Sequence, residues 1–150
     1  MKRKIVLIVI AIIAVTGLIG AYFYFKQTTD VVQKTPDVVI NARELIAAFE
    51  QDTAAAHKAY IDKIVAVTGV VKSIDTAGAI VLGEEGSASE VVVGLDRRHM
   101  DDHMQLKVGR EAVLQGICSG YSASGSDPDD MLASLGTTVQ LRSAGVKSYH

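Results

Sequence analysis

Three stretches of the chain combine side-chain type and spacing in a way that could do chemistry. The first is His99-Met100-Asp101-Asp102-His103-Met104. On an α-helix, His99 and His103 stand four residues apart and share a face. Their imidazoles could hold one divalent ion, with Asp102 beside them as a third ligand. Met100 and Met104 repeat the spacing, and thioethers suit Cu(I). The pattern lacks the glutamate of H-E-x-x-H, and its ordinary account is a solvated helix with its methionines turned to the body of the domain. The second stretch is Gly116-Ile117-Cys118-Ser119-Gly120. G-x-C-x-G has the outline of a nucleophile elbow, which tops a strand-to-helix turn. Here no helix follows and no His–acid pair is placed by a recognisable pattern, so Cys118 is expected on a core face as a small hydrophobe. The third is the acidic run Ser124–Asp130, SGSDPDD. It lacks the sixth-position Gly and twelfth-position Glu of an EF-hand calcium loop and reads as an acidic loop. No catalytic set and no cofactor are predicted. The candidate ligand-face residues are Tyr121, Lys72 and Arg142.

The elements that must position these residues are mostly strands. Ile64–Ile74 carries Val65, Val67 and Val71 at one parity, with Ala66, Thr68 and Lys72 at the other. That is the period of a strand with one face in a core. Gly69 interrupts it, which lets a long strand bend or bulge. Asp75–Gly78 reads as a turn, Ala79–Leu82 as the second strand, Gly83–Ser89 as a loop, and Glu90–Leu95 as the third strand. Asp96 is placed to cap a short helix through about Leu106. Arg110–Tyr121 is the fourth strand, with Ala112, Leu114, Gly116 and Cys118 at one parity and Arg110, Glu111 and Gln115 as polar interruptions. Ser122–Gly136 is a long loop, and Thr137–Arg142 the last strand, with Val139 and Leu141 inward. Upstream, Val38–Ile40 is a brief extended segment. Asn41 and Glu44 form a capping box for one helix running to about Tyr60, its stripe being Ala42, Leu45, Ile46, Phe49 and Thr53. Three strands, a helix and two strands are the order of an OB-fold, a five-stranded Greek-key barrel. The fold expected is therefore mainly β, with one packed helix in front of the barrel.

Charge and hydropathy divide the chain further. Ile5–Phe25 carries no charge and is long enough, at about 1.5 Å per residue, to cross a hydrocarbon core of about 30 Å. Lys2, Arg3 and Lys4 precede it, so the positive-inside rule keeps residues 1–4 in the cytoplasm and exports the rest. Tyr22, Phe23, Tyr24 and Phe25 suit an interfacial belt. A cleaved signal peptide is the alternative, but no clear A-x-A site follows the run. Residues 26–37 read as a tether and 38–150 as the domain. The chain has 15 Lys+Arg and 17 Asp+Glu; setting aside Lys2, Arg3, Lys4 and Lys26 leaves 11 basic against 17 acidic residues, a net −6 for the exported part. That balance, and the shortage of strand aromatics, make nucleic acid an unlikely partner. With one cysteine in the whole chain, no intrachain disulfide forms.

These pieces resemble the tRNA_anti-like family of bacterial OB-fold proteins, many of them short envelope proteins with a single anchor. The matching pieces are the anchor, NARELIAAFEQDTAAAHKAYIDK, IVAVTGVV, VVVGL, KVGREAVLQGICSG and a final VQL. The sharpest is the G-x-C-x-G of Gly116, Cys118 and Gly120. The resemblance covers about residues 38–145 and implies an OB barrel behind a packed helix, with no activity attached. Related sequences often carry further cysteines near the third and fifth strands, where this chain has Val92, Gly94, Ser143 and Ala144. The function expected is a non-catalytic binding or assembly module, anchored in the bacterial inner membrane by a single pass and facing the periplasm. Its expected partner is an envelope protein or a small ligand. The alternative is a periplasmic Cu or Zn module using His99 and His103.

Overall fold

A computed structural model of the chain describes residues 12–19, 30–122 and 136–149. It falls into two units, Met1–Asp30 and Val31–His150. In the first unit, residues 12–19 form a helix, α1. Its Ile12, Ile13, Val15, Leu18 and Ile19 side chains are exposed. No helix among the described residues is long and apolar enough to cross a membrane. The remainder of the expected span Ile5–Phe25, its basic flank and residues 26–29 of the expected tether lie outside the described residues, as do residues 123–135 of the expected acidic loop.

The second unit is a closed barrel. Its strands are β1 (Val38–Asn41), β2 (Ile64–Ile74), β3 (Ala79–Leu82), β4 (Glu90–Leu95), β5 (Glu111–Ser122) and β6 (Thr138–Tyr149). The hydrogen-bonded order is β1-β2-β3-β4-β6-β5, and β5 pairs back onto β2. Five strands thus close the cylinder, as expected of an OB-fold. β2 serves both halves: Ile64–Val70 pairs with β5, and Val71–Ile74 pairs with β3. Gly69 marks the change of partner, where an added Cβ would stand 2.9 Å from Ala42 Cβ and 3.3 Å from Leu82 Cβ. Only hydrogen fits there between helix and sheet. The alternating residues meet in one core: Val65, Val67, Leu114, Cys118 and Val139 are each fully buried.

Helix α2 (Ala42–Gln51) follows β1 without a linker, Asn41 being both the last strand residue and the N-cap. Leu45, Ile46 and Phe49 turn one face into the core. Burial on this scale stabilises by about 1.5–3 kcal/mol per large apolar side chain. Asn41 Oδ1 accepts from the Arg43 N–H at 3.0 Å, one residue earlier than the expected capping box. The single helix expected to Tyr60 is two. Asp52 ends α2 and caps α3 (Thr53–Tyr60), its Oδ1 accepting from the Ala55 N–H at 2.9 Å. An aspartate that bonds the backbone ahead of it breaks one helix and starts the next.

Four further differences have local causes. Ala66, placed on the wet face of β2, is buried, so that strand is covered on both sides. β6 does not stop at Arg142. Ser143 takes a left-handed φ of 52°, which bulges the strand and lets it continue to Tyr149. The expected short helix is a 3-10 segment, η2 (Arg97–Gln105), irregular at His99 (φ −116°, ψ 15°). Met104 in it is 73% exposed and does not face the barrel. Finally, part of the expected tether is folded. Val31–Gln33 forms a 3-10 turn, η1, with Val31 buried. Gln115, expected as a polar interruption, is fully buried and holds that turn. Its Nε2 donates to Val31 O and Lys34 O, each at 2.7 Å, and its Oε1 accepts from Lys147 Nζ at 2.7 Å.

Candidate binding groove

A concavity of the barrel unit lies where α2 begins, and the local fold explains it. Gly69 lets the first turn of α2 rest on the bend of β2. The loop Gly83–Ser89 rises opposite, starting from a bond between the Gly83 N–H and Val70 O at 3.0 Å. Lys72 holds that loop from behind, its Nζ donating to Ser87 O at 2.9 Å and to Glu90 Oε2 at 3.2 Å. Between these walls is a groove of about 280 Å³. Ala42, Ile46, Ala47 and Val70 supply its apolar lining, and Asn41, Ser87 and Ser89 its neutral polar groups. Its charged residues are Arg43, Glu50, Glu84 and Glu111. Arg43 Nη2 meets Glu84 Oε1 at 2.6 Å, and Ser89 Oγ donates to Glu50 Oε1 at 2.9 Å. Two smaller clefts, of about 190 and 140 Å³, share Val71 with each other, and each shares a wall residue with the groove: Glu111 in one, Val70 in the other. A guanidinium, three carboxylates and two hydroxyls beside an apolar floor can hold a ligand by charge, hydrogen bonding and burial.

The residues singled out from sequence are placed elsewhere. Lys72 supports the groove's loop and lines the smallest cleft. Tyr121 stacks on Phe49, ring centroids 4.9 Å apart, so its ring extends the core. Arg142 is exposed, its Nη2 3.7 Å from Asp62 Oδ1. None of the three lines the groove. His99 and Asp102 do meet, Nδ1 to Oδ2 at 3.1 Å, but Asp102 Oδ2 also accepts the Val146 N–H at 3.2 Å. The His99 ring lies over Gly145, where an added Cβ would come within 2.7 Å of Cγ. This pair fastens η2 to β6. His103 Nδ1 turns instead to Met100 O. Among the described residues no group of three or more His, Cys, Asp or Glu is placed to hold a metal.

Gly116 packs where an added Cβ would stand 2.7 Å from Ala144 Cβ, so the first glycine of the Gly116, Cys118, Gly120 series serves the close approach of β5 and β6. Cys118 is buried, and desolvation pushes its thiol up to about 11. Asp96 moves the other way, to about 2, chiefly through the hydrogen bond from the Arg98 side chain and then that from the Arg98 N–H. Both shifts belong to structural contacts. The groove residues come from α2, the bend of β2, the β3–β4 loop and the start of β5. No spacing links them in sequence, and only the paired Glu84-Glu85 hinted at a charged wall.

Comparison with known proteins adds a family. The model of the family described as tRNA_anti-like matches residues 1–128. No curated protein matches the chain. Similar solved structures include a Klebsiella pneumoniae protein given the provisional description nucleic acid-binding lipoprotein. It is 16% identical, with 71% of this chain and 89% of that one covered and a TM-score of 0.49. Another is the Entamoeba histolytica asparaginyl-tRNA synthetase in complex with asparaginyl-adenylate. It is 17% identical at a TM-score of 0.37, with 77% of this chain covered and only 25% of the synthetase.

Proposed function

We propose, from the premise that this chain belongs to the tRNA_anti-like family, that it is a non-catalytic binding module. Its barrel recognises a partner on the exported side of a membrane, and the uncharged run Ile5–Phe25 anchors it there. The observation that carries this reading is the groove of about 280 Å³ beside α2, which joins an apolar floor to a charged rim. Its polar groups suit recognition by charge and hydrogen bonding, and the shifted groups Cys118 and Asp96 are spent on packing and on a local clasp.

The test is a photo-crosslinking amino acid at Val70, in the groove wall, used in intact membranes. The expected result is one stoichiometric envelope partner or small-ligand adduct. The same amino acid at Lys58, exposed on α3, is the control. Equal yields from both sites would overturn the groove reading. Extraction of the protein by alkaline carbonate would overturn the anchor.

A further inference from the structure

We infer that the free edge of β1 and the adjoining groove together dock an extended peptide segment of a partner protein, one that alternates apolar and basic side chains. This rests on the binding role proposed above and names its ligand class.

β1 pairs with β2 alone, in parallel register from Val38↔Val65 to Asn41↔Thr68. In a parallel ladder a strand turns only alternate residues' N–H and C=O groups toward a given neighbour, so the other set faces away. Among the described residues no strand takes that second edge. The usual guards of an edge are charge, proline or a bulge. The sequence of β1, VVIN, has neither charge nor proline, and Val39 is 70% exposed at its centre. An added strand would therefore find both backbone partners and an apolar contact.

The edge leads into the groove, because Asn41 ends the strand and lines the cavity. Four strand residues span about 13 Å, so a docked segment running along β1 delivers a side chain at the groove mouth. There Glu50, Glu84 and Glu111 outnumber Arg43. Arg43 engages Glu84, while among the described residues the Glu111 carboxylate has no hydrogen-bond or ion-pair partner. A lysine or arginine from the partner complements this rim. A second copy of the chain does not, since its own β1 carries no cation to offer. A polyanion meets the wrong charge.

The probe is a fluorescein-labelled peptide of alternating valine and lysine, titrated by anisotropy into the full chain in detergent micelles. Saturable one-to-one binding is expected, weakening about ten-fold between about 50 and 300 mM salt. A version N-methylated at alternate residues, which cannot donate to the edge, is expected to lose about thirty-fold or more. Glu50→Gln with Glu111→Gln, both at exposed sites and checked for folding by circular dichroism, is expected to lose about ten-fold. Amide exchange should slow on binding at whichever of Val39 and Ile40 turns its N–H to the free edge.

Equal binding of the N-methylated peptide overturns the edge, and equal binding to the glutamine variant overturns the groove's part. Tighter binding of oligodeoxythymidine overturns the proposal in favour of single-stranded nucleic acid. If the peptide does not bind but the Val70 crosslink still captures a partner, this inference fails alone. If neither occurs, the binding role falls with it.

Discussion

Replacing Gln115 by leucine keeps the volume of a buried side chain and removes its three hydrogen bonds. Two hold the carbonyls of Val31 and Lys34, and one accepts from Lys147, all at 2.7 Å. Each such bond contributes about 0.5–1.5 kcal/mol net. The Lys147 ammonium is exposed and returns to water when released. The Val31 carbonyl keeps one weaker partner, the Lys34 N–H at 3.2 Å. The expected loss is therefore about 2–3 kcal/mol, or about 6–15 °C in Tm for a unit of this size. Urea unfolding measures the loss, and amide exchange locates it. Residues Val31–Lys34 should lose protection while β2 and β5 keep theirs. Lys147→Met removes only the third bond but leaves the buried Gln115 Oε1 without its donor, and should cost about 1–2 kcal/mol. If Gln115→Leu matches the parent in stability, with η1 still protected, the clamp does not hold the turn and the reasoning fails.

Three other perturbations probe separate contacts. Gly69→Ala drives a Cβ to 2.9 Å from Ala42 Cβ, and should cost about 1–3 kcal/mol; Ala42→Gly in the same chain should recover part of it. Cys118 should resist Ellman's reagent in the native protein and react once urea unfolds it. Its folded pKa of about 11 lies above the ordinary thiol value of 9.0, so its contribution is full below pH 9 and falls away as pH rises through 11. An alkaline limb unchanged in Cys118→Ala would refute that assignment. Asp96 should titrate near 2 by NMR, below the ordinary aspartate value of 3.8. Its contribution is present above 3.8 and is lost as pH falls through 2. Arg98→Gln should raise the midpoint only partway, because the Arg98 N–H still donates to Asp96 Oδ1 at 3.0 Å.

Period-two alternation made the staves legible, since Val65, Val67, Leu114 and Val139 all sit in the barrel core at the parity it marked as inward. It also placed Cys118 correctly in the core. What escaped were contacts that join distant residues. Gln115 looks polar within its strand, and its reason for burial lies some 80 positions upstream, in the turn whose carbonyls it binds. Asp52-Thr53 carried a local capping signal, obscured by the alanine-rich helix on either side. Ser143-Ala144-Gly145 reads as a strand end, and only the left-handed Ser143 turns that break into a bulge. The H-x3-H spacing presumed an even helix, which the irregular backbone at His99 denies. The groove could not be foreseen because four separate elements build it.

β6 joins β4 in parallel and β5 in antiparallel register, and it is the last of the six described strands in chain order. A ribosome therefore delivers the sealing stave after the other five. Until then β4 and β5 each wait with one margin unbonded, and the slots for Val139 and Leu141 stand open to water. The nascent molecule is thus a half-open clasp until the 12 residues of β6 arrive, and any escort for its biogenesis has most to shield before that moment.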